Sequence, residues 1–385
     1  MRLFVDVMEG VLERAPRTVS KSAISQGRSR VGWKVMMSLF KELVRPIATV
    51  LTRGAFYKHW RLVAIDGTTI AIPDTRHNKR AFDSPGTGIG RGGYPQARIV
   101  VLVECGTHAI FGVAIGRRRL FELTLAERIL PELKPGMLCM GDRNFPSFRL
   151  WNRASATGAD LLWRVRKDIR LDNHKKLPDD SYLSTFHAGT DKRHKHGVLV
   201  RVIPYRILGS RKVYRLISTI LDHRLAPARE LAALYHERWE VENTLDEIKT
   251  HLLARRDTLR SKRPDLVKQE IYGILLAHFA IRRLMHEAAL EADLDPDNLS
   301  FTHSVWVLSY ELTRAHSCSL KTLHSRIIAH ILEQRVDSSR GRTVERGCRT
   351  WGNPGKLRRT KTKRHVPINY ASSVRVLSSR ISSLN

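Results

Sequence analysis

Cysteine is scarce in this chain. Cys105, Cys139, Cys318 and Cys348 are the whole complement of 385 residues, and no two stand in a C-x-x-C or other paired spacing. That argues against a thiolate zinc site and against a disulfide framework, and it points to reduced thiols in a cytosolic protein. A long uncharged apolar run is also missing. The most apolar stretch, 271–290, contains His278, Arg282 and Arg283, so it reads as a core helix and not a membrane span. The first residues, MRLFVDVMEGVLERAPR, carry acids and no apolar run, unlike a secretion signal. No internal repeat is found. Acids are the last shortage: 37 Asp and Glu stand against 67 Lys and Arg, a formal charge of +30. A compact protein with that excess repels itself unless a polyanion is near, so nucleic acid is the expected partner. An anionic membrane surface fits less well, because the bases are scattered and not gathered on one juxtamembrane helix. With 42% hydrophobic residues the chain is globular, and its length suits two or three domains.

The periodicity divides the chain. Residues 1–60 read as a helical segment with helices at 6–15, 20–26 and 33–52, and Arg28, Arg30 and Lys34 are available for phosphate. At 61–72 the period changes to a β-rich run, RLVAIDGTTIAI. A glycine-rich loop at 84–94 leads into a strand and not a helix, so it fails the P-loop and dinucleotide tests; Arg80, Arg91 and Arg98 around it are candidate DNA contacts. Strands at 97–104 and 110–115, a helix at 122–133, a strand at 137–140, a helix at 147–157 and a strand at 160–165 describe a mixed sheet with helices on its faces. Residues 166–222 form a β-rich insertion, with strands at 198–207 and 212–220. His194 and His196 in its basic loop fit a solvated hairpin tip better than a metal site, since no acid or Cys partners them. The expected division is a helical segment at 1–60, a core at 61–165 and 223–262, the insertion at 166–222, a helical region at 263–334 and a basic tail at 335–385. Between 335 and 380 there are 13 Lys and Arg against two acids, which reads as a segment largely flexible until bound.

The rest is arranged around residues 227–254, which read as one long helix. Leu231, Leu234, Val241, Leu245, Ile248 and Leu252 recur at helical steps. Tyr235, Arg238, Glu242 and Lys249 stand at offsets 0, 3, 7 and 14. At about 100° per residue they share an arc of roughly 60°, so a phenol, a guanidinium, a carboxylate and an ammonium line one stripe. A solvated face with an ordinary Arg238–Glu242 ion pair has the same pattern. Two strand-borne aspartates distinguish the readings. Asp66 interrupts an apolar strand, where a carboxylate is costly unless paired or bound to a metal. Asp142 follows the short apolar strand, at a carboxyl end where open α/β sheets often place chemistry. Asp66, Asp142 and Glu242 together would repel one another without a cation. With Mg²⁺ they make a pocket of hard oxygen ligands suited to in-line phosphodiester cleavage and transfer. Arg238 and Lys249 would then hold phosphates, and Tyr235 can hydrogen-bond a phosphate or stack on a base. Trp163 and Trp239 read as buried core residues rather than base-stacking platforms.

These residues carry a resemblance. The chain resembles DDE transposases of bacterial insertion sequences, in the family marked by Y-x₂-R-x₃-E-x₆-K, here Tyr235, Arg238, Glu242 and Lys249. Val63-Ala64-Ile65-Asp66-Gly67-Thr68 matches the context of the family's first acid, and Asp142-Arg143-Asn144-Phe145 matches the second. The likeness spans roughly residues 20–310. It implies an α/β, ribonuclease-H-like mixed sheet flanked by helices, with the β-rich insertion before the catalytic glutamate helix. It implies metal-dependent cutting at transposon ends and strand transfer, with Asp66, Asp142 and Glu242 as catalytic metal ligands. The cofactor would be Mg²⁺, with Mn²⁺ as a substitute. Tyr235, Arg238, Lys249 and Arg143 would contact double-stranded DNA. A homo-oligomer, usually a dimer on paired ends, is expected, in the bacterial cytoplasm at the nucleoid and with no membrane. Only 65 residues precede Asp66, fewer than the family commonly carries, so a shortened N-terminal DNA-binding region is the expectation. The competing readings are a host nuclease on the same fold and a nucleic-acid-binding protein without catalysis.

Overall fold

The computed structural model describes residues 20–85, 93–189, 191, 196–209, 211–253, 258–315, 319–337 and 370–378. The expected helix at 6–15, most of the glycine-rich loop with Arg91, His194, Cys318, Cys348 and most of the basic tail lie outside them.

The organising strand is β2 (Trp60–Ala71), in which Leu62, Val63, Ala64 and Ile65 are buried in succession. A strand buried on consecutive residues is covered on both faces, so it lies at the centre of a layered sheet. A short β1 (Phe56–Tyr57) folds back on it. β3 (Gln96–Glu104) and β4 (Ile110–Arg117) follow as an antiparallel meander on one side. On the other side β5 (Met137–Gly141) and β6 (Asp160–Val165) are parallel to β2. The order is β4-β3-β2-β5-β6, a mixed sheet with helices on its faces, as expected from the sequence. Helices α1 (Lys21–Leu43), α2 (Arg76–Phe82), α3 (Glu122–Ile129) and α4 (Phe148–Ser155) precede or connect these strands.

The β-rich insertion continues this sheet. It contains β7 (Lys175–Lys176), β8 (Tyr182–His187), β9 (Gly197–Ile207) and β10 (Val213–Ser218). β10 pairs antiparallel with β6, so the order runs on as β6-β10-β9-β8-β7 and the sheet reaches eleven strands. β8 was not expected from the sequence. Part of the basic tail also differs from expectation: β11 (Val374–Val376) pairs with β9 and buries Val374.

Helix α1 fuses two expected helices across a kink at Gly32 (φ 69°). The side-chain amide of Gln269 donates to the carbonyls of Arg28 and Gly32, at 2.9 and 3.1 Å, which satisfies backbone groups at the kink. Arg28 in turn donates to Gln269 and Ser261, so it joins elements rather than facing outward. The helix ends at Leu43, well before the expected residue 52, and Val50 and Leu51 are exposed. Pro46 disfavours helix at the residue before it, and the freed backbone amides of Ile47 and Ala48 both donate to the fully buried carboxylate of Glu104, at 2.9 Å.

Helix α5 (Ala228–Leu234) begins the glutamate segment, which α6 (Trp239–Asp246) continues. The long α7 (Pro264–Glu291) packs on α1 through Phe40, Trp33 and Tyr272. α8 (Phe301–Thr313) and α9 (Leu320–Leu332) complete the helical layer. Among the described residues no helix is long and apolar enough to cross a membrane.

Candidate active site

The sheet register brings the two aspartates together. Ile65 on β2 lies opposite Gly141 on the parallel β5. The next residue on each chain is Asp66, midway along β2, and Asp142, just past the end of β5, so the two stand at one level on neighbouring chains, where backbones run about 4.7–4.9 Å apart. Asp66 accepts from the Gly67 amide at 2.7 Å. Gly67 itself leaves room on the opposite face: a Cβ there would meet the Glu122 carboxylate at 2.9 Å, and Glu122 pairs with Arg98 at 3.0 Å. Arg98 is therefore engaged within the fold. Asp142 closes a tight turn. Its carboxylate accepts from the Asn144 backbone amide at 2.8 Å and the Asn144 side-chain amide at 3.1 Å, an Asx arrangement that fixes its direction. Phe145 anchors the turn in the core, and Arg143 is exposed beside it.

The glutamate segment is helical throughout, but it is not one uniform α-helix. α5 tightens into a 3₁₀ turn at Tyr235–Arg238, returns to α in α6, and widens into a π turn at Glu247–Leu252. Such changes of pitch rotate side chains relative to an ideal wheel and are common at functional sites. Tyr235, expected to face DNA, is buried, and its hydroxyl donates to the Gly141 carbonyl at 3.2 Å. Trp239, expected in the core, is 41% exposed, whereas Trp163 is fully buried as expected.

Arg238 joins the strands to the helix. Its guanidinium lies 3.0 Å from a Glu242 oxygen and 3.9 Å from an Asp66 oxygen, and the residue is only 8% exposed. Lys249 is exposed one π turn further on. Burial lowers its pKa, against the attraction of Asp246 and Asp66, which places its ammonium within the field of Asp66. Burial also raises the Asp66 carboxyl to about 6, and the neighbouring Asp142 and Glu242 charges add to that, against the Gly67 amide and Arg238. Asp66 thus feels the charges of both Asp142 and Glu242, with Arg238 between Asp66 and Glu242. They do not form a closed cage: among the described residues, the His/Cys/Asp/Glu group whose ligand atoms all lie within 4.8 Å is His108, Glu240 and Asp297, a different set.

A buried scaffold behind the helix was not found by sequence reasoning. Glu247 takes His108 Nδ1, His278 Nε2 and Arg282 Nε, each at 2.9 Å, and a further Arg282 contact. All four side chains are buried. The sequence signal was His278 and Arg282, four residues apart in an apolar run, which had served only to argue against a membrane span.

Comparison with known proteins fits this geometry. The Transposase DDE domain family matches residues 60–280, which include β2, β5 and the whole glutamate segment. The chain is 30% identical over 295 residues to the transposase InsG for insertion sequence element IS4 of Escherichia coli K12, covering 74% of this chain and 66% of InsG. It is 27% identical over 158 residues to the putative transposase InsZ of the same organism, covering 39% of this chain and 51% of InsZ. The chain thus spans less than two thirds of either relative. Among solved structures, a cryo-EM structure of piggyBac transposase synaptic complex with hairpin DNA is similar at a TM-score of 0.47 and 15% identity, over 87% of this chain and 70% of that one. The family match covers more than half of the sequence and includes every acid singled out at the sheet edge and on the helix; the chain belongs to the Transposase DDE domain family.

Proposed function

We propose that this protein is a metal-dependent DNA transposase that cuts phosphodiester bonds at element ends and transfers the freed strands to target DNA. The observation that supports this most directly is the Ile65–Gly141 register, which sets Asp66, midway along β2, beside Asp142, just past the end of the parallel β5, with Asp66 within electrostatic reach of Glu242. The donor set suits a hard divalent cation: three carboxylates, one of them with its ionisation opposed by burial and by the other two. Mg²⁺, with Mn²⁺ as a substitute, would be held by Asp66, Asp142 and Glu242, where it supplies Lewis acidity to the phosphodiester.

The chain's own residues have distinct tasks in this reading. The Asn144 amides and the Gly67 amide orient the Asp142 and Asp66 carboxylates. Tyr235 braces the Gly141 carbonyl immediately before Asp142. Arg238 neutralises Asp66 and Glu242 in this structure, and it can turn its fork to a phosphate when the acids have another counter-charge. Lys249 and Arg143 are both exposed and available to the DNA backbone. The partner is double-stranded DNA, consistent with the +30 charge. The acting form is a homodimer on paired ends, at the nucleoid in the bacterial cytoplasm. The organisation is an N-terminal segment at 1–60, with α1 as the helix among its described residues, a core at 61–165 and 223–262 carrying the 166–222 insertion, a helical region at 263–334 and a basic C-terminal segment at 335–385.

The test is cleavage of supercoiled and end-containing DNA by the purified chain with Mg²⁺ or Mn²⁺, and joining of the cut ends to a second DNA. Cleavage without joining would favour a host nuclease. Binding without cleavage under either metal would favour a protein that uses only its charge. The phosphate grip is tested separately. Lys249→Ala should flatten the dependence of log affinity on log salt by about 0.9, one phosphate contact. A slope equal to wild type would place Lys249 away from DNA.

A further inference from the structure

The cluster of His108, Glu240 and Asp297 contains none of the three proposed catalytic acids, and the Nε2 face of His108, opposite the nitrogen that meets Glu247, has no role assigned above. His108 sits in the β3–β4 turn with a left-handed backbone (φ 59°). Glu240 is on the first turn of α6, and Asp297 is in the 3₁₀ turn Pro296–Asn298 ahead of α8. The three are 2, 3 and 7% exposed. His108 Nε2 lies 3.3 Å from an Asp297 oxygen and 3.8 Å from a Glu240 oxygen. It is buried and makes no hydrogen bond. All three ligand atoms fall within 4.8 Å of one another.

We propose that His108, Glu240 and Asp297 bind a structural transition-metal cation of the zinc class. Bonds of about 2.0–2.2 Å in a tetrahedral shell put neighbouring ligand atoms about 3.3–3.6 Å apart; the Asp297 oxygen at 3.3 Å already meets this, and the Glu240 oxygen at 3.8 Å need close in only slightly. The ligand set, one imidazole and two carboxylates, suits zinc or manganese better than magnesium. The second observation is the other face of the ring. His108 Nδ1 lies 2.9 Å from the buried Glu247 carboxylate; in this reading the ring proton sits on Nδ1 and serves that bond, Arg282 beside it donates to Glu247 and not to the ring, and Nε2 turns its lone pair to Glu240 and Asp297. A carboxylate on the far nitrogen of a ligating histidine is the usual means of orienting it and raising its basicity. The left-handed backbone at His108 belongs to the same construction: the turn is tight because Gly106 packs on the Ala55 and Arg53 backbone, where a Cβ would come within 2.8–2.9 Å, and the Gly106 amide donates to Glu240.

The consequence is mechanical. The three ligands come from the core sheet, the glutamate helix and the C-terminal helical layer. Glu240 is two residues from Glu242, so a cation here would clamp the helix that carries Glu242 to both layers at once. This inference does not depend on catalysis and does not require the proposed activity.

The experiment uses the full chain with Asp66→Asn, Asp142→Asn and Glu242→Gln, which removes the other acidic ligands. After chelator treatment the protein is titrated with Co²⁺ and then Zn²⁺, with metal content, visible absorption and Tm as readouts. The expected result is one bound equivalent, a Co²⁺ ligand-field band displaced by Zn²⁺, and a Tm raised by Zn²⁺ but not by Mg²⁺. Adding His108→Gln should remove the band and the equivalent. Adding Asp297→Asn serves the same purpose should His108→Gln fail to fold by circular dichroism. The absence of a stoichiometric metal in the parent variant would overturn the proposal and leave the cluster a metal-free ion network. An unchanged band in folded His108→Gln or Asp297→Asn would also overturn it.

Discussion

Replacing Asp66 by Asn should abolish cleavage and stabilise the metal-free protein at the same time. The loss follows from the proposed pocket. A carboxylate that holds the cation contributes several kcal/mol to the transition state, so Asp66→Asn, Asp142→Asn and Glu242→Gln should each lower the cleavage rate about 10³-fold or more. The gain in stability follows from the electrostatics of the same residue. Burial, with Asp142 and Glu242 nearby, raises the Asp66 carboxyl from its ordinary 3.8 to about 6. The folded state therefore holds the proton more tightly than the unfolded state. The stability linked to this group is fully present below pH 3.8 and is lost as pH rises through about 6. Two pH units of displacement correspond to about 3 kcal/mol. Part of that is offset on substitution, because Arg238 loses its partner at 3.9 Å. Asp66→Asn should thus gain about 1–3 kcal/mol at pH 8 in chelator, and the gain should vanish near pH 4. Denaturant titration at the two pH values measures it. An inactive variant that is also destabilised at pH 8 would mean that Asp66 is a structural ion-pair partner and not a cation ligand.

Glu247→Ala should be the most destabilising single change in the glutamate segment, although Glu247 is not among the proposed metal ligands. Its carboxylate is buried against Arg282, His108 and His278. Burial alone would push its pKa up. Arg282 and the two histidines reverse that and hold it well below 4.5. The sign is opposite to that of Asp66: stability from Glu247 is present above pH 4.5 and is lost as pH falls through its lower folded value. Removing one partner of a buried pair leaves an uncompensated charge and typically destabilises by about 3–5 kcal/mol. Against a total of about 5–15 kcal/mol for a domain, that is a large share. Adding Arg282→Met to Glu247→Ala should recover part of the loss, because the orphaned guanidinium goes with its partner. A double variant no more stable than Glu247→Ala alone would show that the two side chains are not coupled.

Much of the fold was legible because its signals are local. The apolar run around Asp66 and the short apolar strand before Gly141 announced two strands, and the structure gives Trp60–Ala71 and Met137–Gly141. The strand Asp160–Val165 was read with both ends correct. β8 was missed because Tyr182–His187 alternates buried and half-buried residues with Ser184 and Thr185 among them, a polarity that reads as loop until β9 pairs with it. The end of α1 was misread because helical periodicity continued past Pro46, while the backbone amides there were taken by Glu104, a residue 56–57 positions away.

The sequence alone determined which chemistry is available: three acids in recognisable settings, a guanidinium and an ammonium in helical phase with the last of them, and a large positive charge. These depend on residue type and short-range period, which the chain states directly. Only the tertiary structure decided how those groups face one another. It turned Tyr235 inward and Trp239 outward, because a 3₁₀ turn changes the helical phase at that point. It placed Arg238 between Asp66 and Glu242. It also built the network of His108, Glu240, Glu247, Arg282 and Asp297 from segments as much as 189 residues apart, where no local pattern can register. Burial and register set those contacts, and both are properties of the packed sheet and helices rather than of any single stretch of chain.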